Sequence, residues 1–239
     1  MSFDNSWNEK IYSKGKALNR YPYGELISVF FHSLKYLETD KNRKDMKVLE
    51  IGCGSGNNLW FIRELGFEVF GIDGSEIALK SAEELFKQRG LVGHFQKAYF
   101  QSLPFEDNSF DILIDRGGTV CNTEESLRES WASASRVLKP GGLFIAFMLN
   151  EHHPSYSYAK SHPERVKFIS EKTLTNMSCG DLVDVGTITF VNLEDIMKLF
   201  KFGEIKEIQE HRSNFIYPKE KAKANGYSEY IIIGVKNGN

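Results

Sequence analysis

Short apolar runs alternate with longer amphipathic segments along most of the chain. The apolar runs are rich in Val, Ile, Leu and Phe and lack strict polar alternation, which is typical of strands covered on both faces. Between them, apolar residues recur every three or four positions, as in helices that pack through one face. The pattern predicts strands at residues 46–51, 68–72, 95–99, 110–114 and 143–148, and helices at residues 55–65, 76–89 and 124–138.

This alternation predicts an α/β fold. Strands joined by crossover helices pack as a parallel sheet with right-handed connections. A helix at residues 193–200 and strands at residues 204–210 and 227–235 follow near the end of the sequence. Because no helical segment separates these last two strands, we expect them to pair antiparallel.

Two parts of the chain depart from the alternation. Residues 24–38 have the pattern of an amphipathic helix and follow a polar arm that carries several aromatic residues. Residues 150–186 contain two strand-like runs, at residues 165–170 and 182–189, which predict an antiparallel insertion. We therefore divide a single domain into an N-terminal arm and helix at residues 1–45, a core at 46–149, the insertion at 150–186 and a C-terminal helix with strands at 187–239.

Composition narrows the class of partner. The 239 residues are 41% hydrophobic and 26% charged, with a formal net charge of -2. This balance gives no general attraction to nucleic acid or to acidic membranes. No apolar run has the length of a bilayer span or the pattern of a signal peptide. The three cysteines are odd in number and lack the paired spacing of metal ligands: Cys53, Cys121 and Cys179. We therefore expect a cytoplasmic protein. From the charge balance and the apolar runs we expect no nucleic-acid or membrane partner.

A glycine-rich turn follows the first predicted strand. Gly52, Gly54 and Gly56 allow a tight turn and a close approach to a ligand, because glycine has no Cβ atom. The next helix begins at this turn, so its first N–H groups point toward whatever the turn holds. The pattern predicts a nucleotide-like cofactor site.

An acidic residue at the tip of the second strand supports that interpretation. Asp73 lies beside the glycine turn, where its carboxylate can accept hydrogen bonds from both hydroxyls of a ribose. The alternative is that Asp73 only caps the next helix. A dinucleotide is disfavoured, because the glycines do not follow the G-x-G-x-x-G spacing and Glu50 would repel a pyrophosphate. A cofactor that carries a sulfonium and an ammonium group would be attracted to Glu50.

Four segments, in order, resemble the signature of class I S-adenosylmethionine-dependent methyltransferases: residues 48–56, 71–73, 103–111 and 137–142. The resemblance implies a Rossmann-like, mostly parallel sheet of seven strands with helices on both faces and an antiparallel last strand. It implies S-adenosylmethionine as the cofactor and S-adenosylhomocysteine as the product. The positions that it places around the cofactor in this part of the chain are Glu50, Gly52, Cys53, Gly54, Gly56, Asp73, Gly74 and Ser75.

The adenine end departs from the family pattern. Many relatives have an aspartate at the end of the third strand, where this sequence has Tyr99. We expect Phe100 to offer its backbone N–H and an apolar wall, and Gln101 to make a polar contact. The alternative is that Tyr99 and Phe100 only close the edge of the sheet.

The end of the fourth strand carries two charges, at Asp115 and Arg116. Charges directly after a buried strand cost free energy unless they pair or bind something. The resemblance implies that Asp115 lies near the amino group of the donor and that Arg116 faces the acceptor or the N-terminal arm. The alternative is that the two residues pair with each other or cap nearby backbone.

Two groups of residues are candidates for the acceptor side. His152 and His153 follow the fifth strand and could act as a general base. We expect no metal, because no carboxylate-rich ligand set lies near them in sequence. Tyr12 and Tyr21 are candidates for a lid over the cofactor. Aromatic residues of the insertion are candidates for an acceptor pocket: Tyr156, Tyr158 and Phe168.

The resemblance implies transfer of a methyl group to a small-molecule acceptor, at oxygen or nitrogen rather than carbon, for example a sugar or another bacterial metabolite. Two other classes stay open. One is an NAD-dependent oxidoreductase, and the other is a noncatalytic binding module with the same fold. We expect a monomer or a homodimer.

Overall fold

The computed structural model describes residues 5–178, 181–215 and 226–238. These residues form ten strands: β1 (Lys47–Ile51), β2 (Glu68–Asp73), β3 (His94–Lys97), β4 (Phe110–Arg116), β5 (Leu138–Leu149), β6 (Lys167–Phe168), β7 (Thr173–Thr175), β8 (Ile188–Thr189), β9 (Gly203–Asn214) and β10 (Gly226–Lys236). The main sheet has seven strands in the order β3-β2-β1-β4-β5-β10-β9. Strands β1 to β5 are parallel, whereas β10 is antiparallel to β5 and to β9. The predicted α/β class and the antiparallel last strand are confirmed.

Helices cover both faces of this sheet. They are α1 (Gly24–Ser33), α2 (Asn57–Glu64), α3 (Glu76–Arg89), α4 (Glu124–Val137), α5 (Pro154–Ser161) and α6 (Leu193–Leu199). The apolar residues of α1, α2 and α3 form one buried cluster with one face of the strands. Those of α4, α5 and α6 form a second cluster with the opposite face. The two clusters explain why the central strands are apolar on both sides.

The insertion differs from its prediction. Residues 154–161 form α5, which the pattern did not predict, and β6, β7 and β8 make a small antiparallel sheet. The predicted strand at residues 182–189 is paired only at its end, in β8. Asp184 and Gly186 have positive φ angles of 71° and 88°, which break an extended strand. The apolar residues before them pack on the core without pairing.

The N-terminal arm is folded. Trp7–Ile11 form a π-helical turn and Tyr12–Lys14 a 3-10 turn. We call residues 5–23 the N-terminal strap. Helix α1 follows and is shorter than predicted, because a 3-10 turn at Leu34–Tyr36 replaces its last part. None of the helices in the described ranges has the length and apolar character that a membrane span requires.

Candidate cofactor site

A pocket lies at the carboxyl ends of β1, β2 and β4, under the N-terminal strap. Its volume is about 990 Å³, including the part open to solvent. Its position at the carboxyl edge of the parallel strands is where α/β proteins bind ligands. The pocket is therefore the candidate ligand site of the fold.

The glycine turn forms the floor of this pocket. Gly52 has a φ angle of +70°, and a Cβ atom there would lie 3.1 Å from the Cα of Gly118. Only glycine fits that close approach between the β1 and β4 loops. Gly54 lines the pocket with its backbone, as does Cys53, whose thiol pKa is raised by burial. The predicted Gly56 lies off the pocket wall, because it caps α2 and faces Ala82 of α3.

Glu50 brings a buried carboxylate to the pocket wall. Its side chain is 1% exposed, and Oε1 accepts a 2.6 Å hydrogen bond from Asn58 Nδ2. Oε2 is buried and has no hydrogen-bond partner among the residues that the structure describes. Burial raises the pKa of Glu50 to about 8, partly opposed by the Asn58 bond and assisted by Asp115. A cation beside Oε2 would favour the charged carboxylate and remove this free-energy cost.

Both carboxylate oxygens of Asp73 accept hydrogen bonds from backbone N–H groups. Its Oδ2 accepts from the Gly54 N–H at 3.0 Å, and its Oδ1 accepts from the Ser75 N–H at 2.8 Å. Burial raises the pKa of Asp73 to about 6, although these bonds act in the opposite direction. Asp73 and Gly74 line the pocket. The predicted Ser75 does not, because its hydroxyl caps α3 at the Ala78 N–H and donates to Asn8 of the strap.

The loop after β3 forms the wall opposite the glycine turn. β3 ends at Lys97, so Ala98, Tyr99, Phe100 and Gln101 belong to this loop, and all four line the pocket. Tyr99 is 42% exposed and does not close the sheet edge. Phe100 also approaches the glycine turn, with its ring 3.4 Å from a Cβ built on Gly52. The wall offers aromatic and amide groups in place of a carboxylate.

Asp115 organises the loop that follows β4. Its Oδ1 accepts from the N–H groups of Gly118 and Thr119, at 2.7 and 3.2 Å, and the Thr119 hydroxyl donates to its Oδ2. Burial raises its pKa to about 6. Asp115 is fully buried and lies outside the described pocket wall, so the predicted contact with a ligand is replaced by a backbone cap.

Arg116 does line the pocket, and it is held from behind by the end of β10. Its NH1 donates to Glu229 Oε2 at 3.0 Å and to the Tyr227 hydroxyl at 3.1 Å. Its guanidinium lies 4.6 Å from the Phe147 ring centre and 4.8 Å from that of Tyr23. Burial opposes the charge, but Tyr227 and Glu229 raise the pKa of Arg116 above its ordinary value. Arg116 and Glu229 form a buried ion pair behind this part of the pocket wall.

The two predicted catalytic histidines lie off the described pocket wall. His152 is 44% exposed and lies 3.8 Å from Glu151 and 3.9 Å from Glu210. His153 is buried, caps α5 by accepting the Ser155 N–H on Nδ1, and has its pKa lowered to about 4 by burial. His153 caps α5, and neither histidine is on the described pocket wall, so the general-base role stays a prediction that this geometry does not support.

His153 should instead control acid stability. Its pKa lies near 4 in the fold and near 6.5 when unfolded, so the unfolded chain binds the extra proton between those values. Stability is therefore lost as pH falls from 6.5 toward 4. In His153→Asn, which keeps an N-cap acceptor, we expect the loss across this interval to shrink by about 1 to 3 kcal/mol. Urea unfolding at pH 4, 5, 6 and 7 measures it, and an unchanged slope would contradict this role.

The aromatic residues of the insertion form its core. Tyr156 packs against Phe190 at 4.9 Å, and Tyr158 stacks on His162 at 4.1 Å. Phe168 lies in β6 and packs against the second apolar cluster. None of these three predicted acceptor residues is on the described pocket wall. Their side chains pack within the insertion and against the neighbouring apolar cluster.

The N-terminal strap supplies the pocket's aromatic cover. Tyr12 lines the pocket, and its hydroxyl is 3.4 Å from a Cβ built on Gly54. Tyr21, predicted with it, is 74% exposed and lies off the wall. Tyr23 lines the pocket in its place. Further wall residues that the sequence did not single out as site residues are Trp7, Asn19, Asn57, Asn58, Cys121 and Asn122.

No group of three or more His, Cys, Asp or Glu side chains in the described ranges is arranged to hold a metal ion. Cys179, named in the sequence analysis, lies outside the described residues.

The fold and the glycine turn define an α/β protein with a pocket at the carboxyl edge of its sheet, where a nucleoside-like ligand would fit the turn. Residues 48–142 match the family model described as a methyltransferase domain. The chain is 34% identical over 152 residues to the ubiquinone/menaquinone biosynthesis C-methyltransferase of Idiomarina loihiensis, covering 56% of this chain and 59% of the relative. The core at residues 48–142 is thus similar to methyltransferase domains, in agreement with the resemblance to class I S-adenosylmethionine-dependent methyltransferases that the sequence motifs carry.

Two further comparisons also find proteins named as methyltransferases. Squalene methyltransferase 1 of Botryococcus braunii is 35% identical over 123 residues, which are 50% of this chain and 32% of that protein. A solved S-adenosylmethionine-dependent methyltransferase of Methanosarcina mazei superposes with a TM-score of 0.70 at 21% identity, covering 92% of this chain and all of that one. The matches to the first four curated relatives cover between 32% and 59% of those proteins' length.

The residues present fit S-adenosylmethionine. The buried, unpartnered Glu50 Oε2 suits a cationic group, whereas it would repel a pyrophosphate. Gly52 leaves backbone within reach where a side chain would clash. Asp73 lies on the wall at the tip of β2, the position for a ribose.

Proposed function

We propose that this chain binds S-adenosylmethionine and transfers its methyl group to a small-molecule acceptor. The observation that carries the proposal is Glu50, a buried carboxylate with one unpartnered oxygen beside a glycine turn. An uncompensated carboxylate is costly unless the ligand supplies positive charge. NAD supplies a pyrophosphate to this region instead, which makes an oxidoreductase the weaker interpretation.

In this proposal each wall of the pocket holds one part of the cofactor. Glu50 and the backbone of the glycine turn hold the methionine part, Asp73 holds the ribose, and the loop at residues 98–101 packs on the adenine. When bound, the cofactor supplies a methyl group activated by the neighbouring sulfonium. The chain's own contribution is to hold the acceptor in line with that group and to exclude water under Trp7 and Tyr12.

The absence of a histidine from the described pocket wall bears on the acceptor. An acceptor atom that already carries a free lone pair at neutral pH, such as a weakly basic nitrogen or the oxygen of an ionised acid, needs no strong base. We therefore propose nitrogen or acidic oxygen. A carbon acceptor is the second candidate, because two relatives are named for squalene and for ubiquinone/menaquinone biosynthesis and because aromatic rings cover this pocket. A sugar hydroxyl is less favoured, since it must lose a proton.

Thermal unfolding with ligands tests the cofactor. At a concentration one hundred times its dissociation constant, S-adenosylhomocysteine should stabilise the fold by about 2.7 kcal/mol. For a chain of this size that is a rise in Tm of roughly 5 to 10 °C. NAD at the same concentration should produce no rise. Stabilisation by NAD alone would refute the proposal.

Transfer itself is tested with S-adenosylmethionine labelled on the methyl group and fractionated small-molecule extract. We expect labelled product in at least one fraction, and none when the enzyme is first saturated with S-adenosylhomocysteine. Cofactor binding without acceptor-dependent label in any fraction would favour the noncatalytic module. The cytoplasmic location and the monomeric or homodimeric state stay predictions from the sequence.

A further inference from the structure

The start of α2 holds the backbone of the N-terminal strap. Four hydrogen bonds connect the two segments, and the residues at the start of α2 that form them lie within a few positions of each other. The bonds are Ser55 Oγ to the Asn19 carbonyl at 2.7 Å, Asn57 Nδ2 to the Tyr21 carbonyl at 3.0 Å, Trp60 Nε1 to the Arg20 carbonyl at 3.0 Å, and Tyr23 N–H to Asn58 Oδ1 at 3.1 Å. The strap is therefore tied by its backbone, not only by its aromatic side chains.

One of these four connections also reaches the carboxylate of Glu50. Asn58 accepts from the Tyr23 N–H with Oδ1 and donates from Nδ2 to Glu50 Oε1 at 2.6 Å. The residue is 3% exposed. The reversed amide would place Nδ2 against an N–H donor and Oδ1 against a carboxylate, so both contacts fix the same orientation. A single amide thus joins the carboxylate of the pocket to the strap.

We propose that Asn58 is a positioning residue that couples occupancy of the Glu50 end of the pocket to closure of the N-terminal strap over the acceptor end. The inference rests on the proposed function, because the ligand at Glu50 is the amino-acid part of the cofactor. Asn57 provides the contrast. It ties the strap through the Tyr21 carbonyl at 3.0 Å and donates a longer hydrogen bond to Asn58 Oδ1 at 3.3 Å, but none of its described hydrogen bonds reaches Glu50.

The coupling follows from the charge of Glu50. A cationic ligand beside Oε2 keeps the carboxylate ionised, and a hydrogen bond to a charged acceptor is roughly twice as strong as a neutral one. The amide of Asn58 is then held more firmly, with Oδ1 aimed at the Tyr23 N–H. By reciprocity, a closed strap favours the ionised carboxylate and therefore the cationic ligand.

The consequence lies at the acceptor end. The Tyr23 ring is on the pocket wall and stacks 4.8 Å from the guanidinium of Arg116. Its hydroxyl accepts from Asn19 Nδ2 at 2.6 Å, within the strap itself. Fixing the Tyr23 backbone therefore fixes a wall that the acceptor touches. The acceptor surface becomes complete once the donor is bound.

Hydrogen exchange of residues 19–23 in the full chain tests the coupling. S-adenosylhomocysteine carries the amino-acid part, whereas 5′-methylthioadenosine lacks it. Each ligand is used at saturation, established by calorimetry. In the native protein, S-adenosylhomocysteine should slow exchange of the strap about tenfold more than 5′-methylthioadenosine does. In Asn58→Ala the two ligands should slow exchange equally.

Asn57→Ala is the matched control. It should speed exchange of the strap with either ligand, while keeping the tenfold difference between them. Should Asn58→Ala fail to fold, Asn58→Leu serves in its place, because leucine keeps the buried volume and removes the hydrogen bonds to both Glu50 and Tyr23. If the Asn58 variant kept the tenfold difference in exchange that the native protein shows between the two ligands, the coupling would be refuted while the proposed function would stand. Failure of S-adenosylhomocysteine to bind the native protein would overturn the proposed function with it.

Discussion

Replacing Asp73 with asparagine should weaken binding of S-adenosylhomocysteine by about a hundredfold, because two hydrogen bonds from a ribose to a carboxylate are worth roughly 3 kcal/mol together. Stability should also fall, since asparagine cannot accept from both the Gly54 and the Ser75 N–H groups, which Asp73 does. That second effect is about 1 kcal/mol and leaves the protein folded. Calorimetry measures the affinity, and urea unfolding measures the stability.

Asp111 offers the matched control. Like Asp73 it is 6% exposed and accepts a backbone N–H, from Lys47. It is the second residue of β4 and so lies at the amino ends of the parallel strands, away from the pocket. Asp111→Asn loses its ion pairs with Lys41 and Lys139 and should destabilise the fold without changing affinity. Unchanged affinity in Asp73→Asn would remove Asp73 from the ribose role.

Replacing Glu50 with glutamine should have opposite effects on stability and on binding. The pKa of Glu50 is about 8 in the fold, against an ordinary value of 4.5. Between these values the folded protein holds a proton that the unfolded chain releases, so Glu50 lowers stability as pH rises from 4.5 to 8. Glutamine removes this loss and still accepts from Asn58. At pH 8.5 the ligand-free variant should be more stable by roughly 1 to 4 kcal/mol.

Binding should suffer in the same variant. Loss of a carboxylate that faces a cation costs about 1.5 to 3 kcal/mol, or roughly 10- to 100-fold in affinity for S-adenosylmethionine. The measurements are urea unfolding and calorimetry at pH 5, 7 and 8.5. The pH series is its own control, because the stability gain should shrink toward pH 5. A destabilised variant at pH 8.5, or one with native affinity, would contradict the assignment of Glu50.

The local pattern of apolar and polar residues was sufficient to predict the core of the fold. The apolar runs of β1, β2 and β4 and the amphipathic helices between them are short-range signals, and the connection rules then leave few topologies. The prediction for the insertion was wrong for a physical reason. Its apolar residues pack on the core without forming long strands, and α5 begins with His153 as its cap and Pro154 in its first turn, a start signal that the pattern analysis did not use.

The site was predictable where geometry follows from backbone. Glu50, Gly52 and Asp73 lie at strand ends or in a tight turn, and their positions are set by the sheet. Side chains off the regular elements were not predictable. Tyr21 and Tyr23 are two residues apart, and long-range contacts decide which ring faces the pocket: the bonds of the strap to α2 and the contact of the Tyr23 ring with Arg116.

The place of β10 in the sheet has a consequence for biosynthesis. β10 lies between β5 and β9, and both neighbours depend on it for pairing on that side. On the ribosome, β5 and β9 emerge before residues 226–236 have been made. The nascent chain therefore carries open strand edges, the kind that pair with other chains, until residues 226–236 have left the exit tunnel. Stalling before residue 226 should yield aggregation-prone polypeptide, although every segment that lines the pocket has already been synthesised.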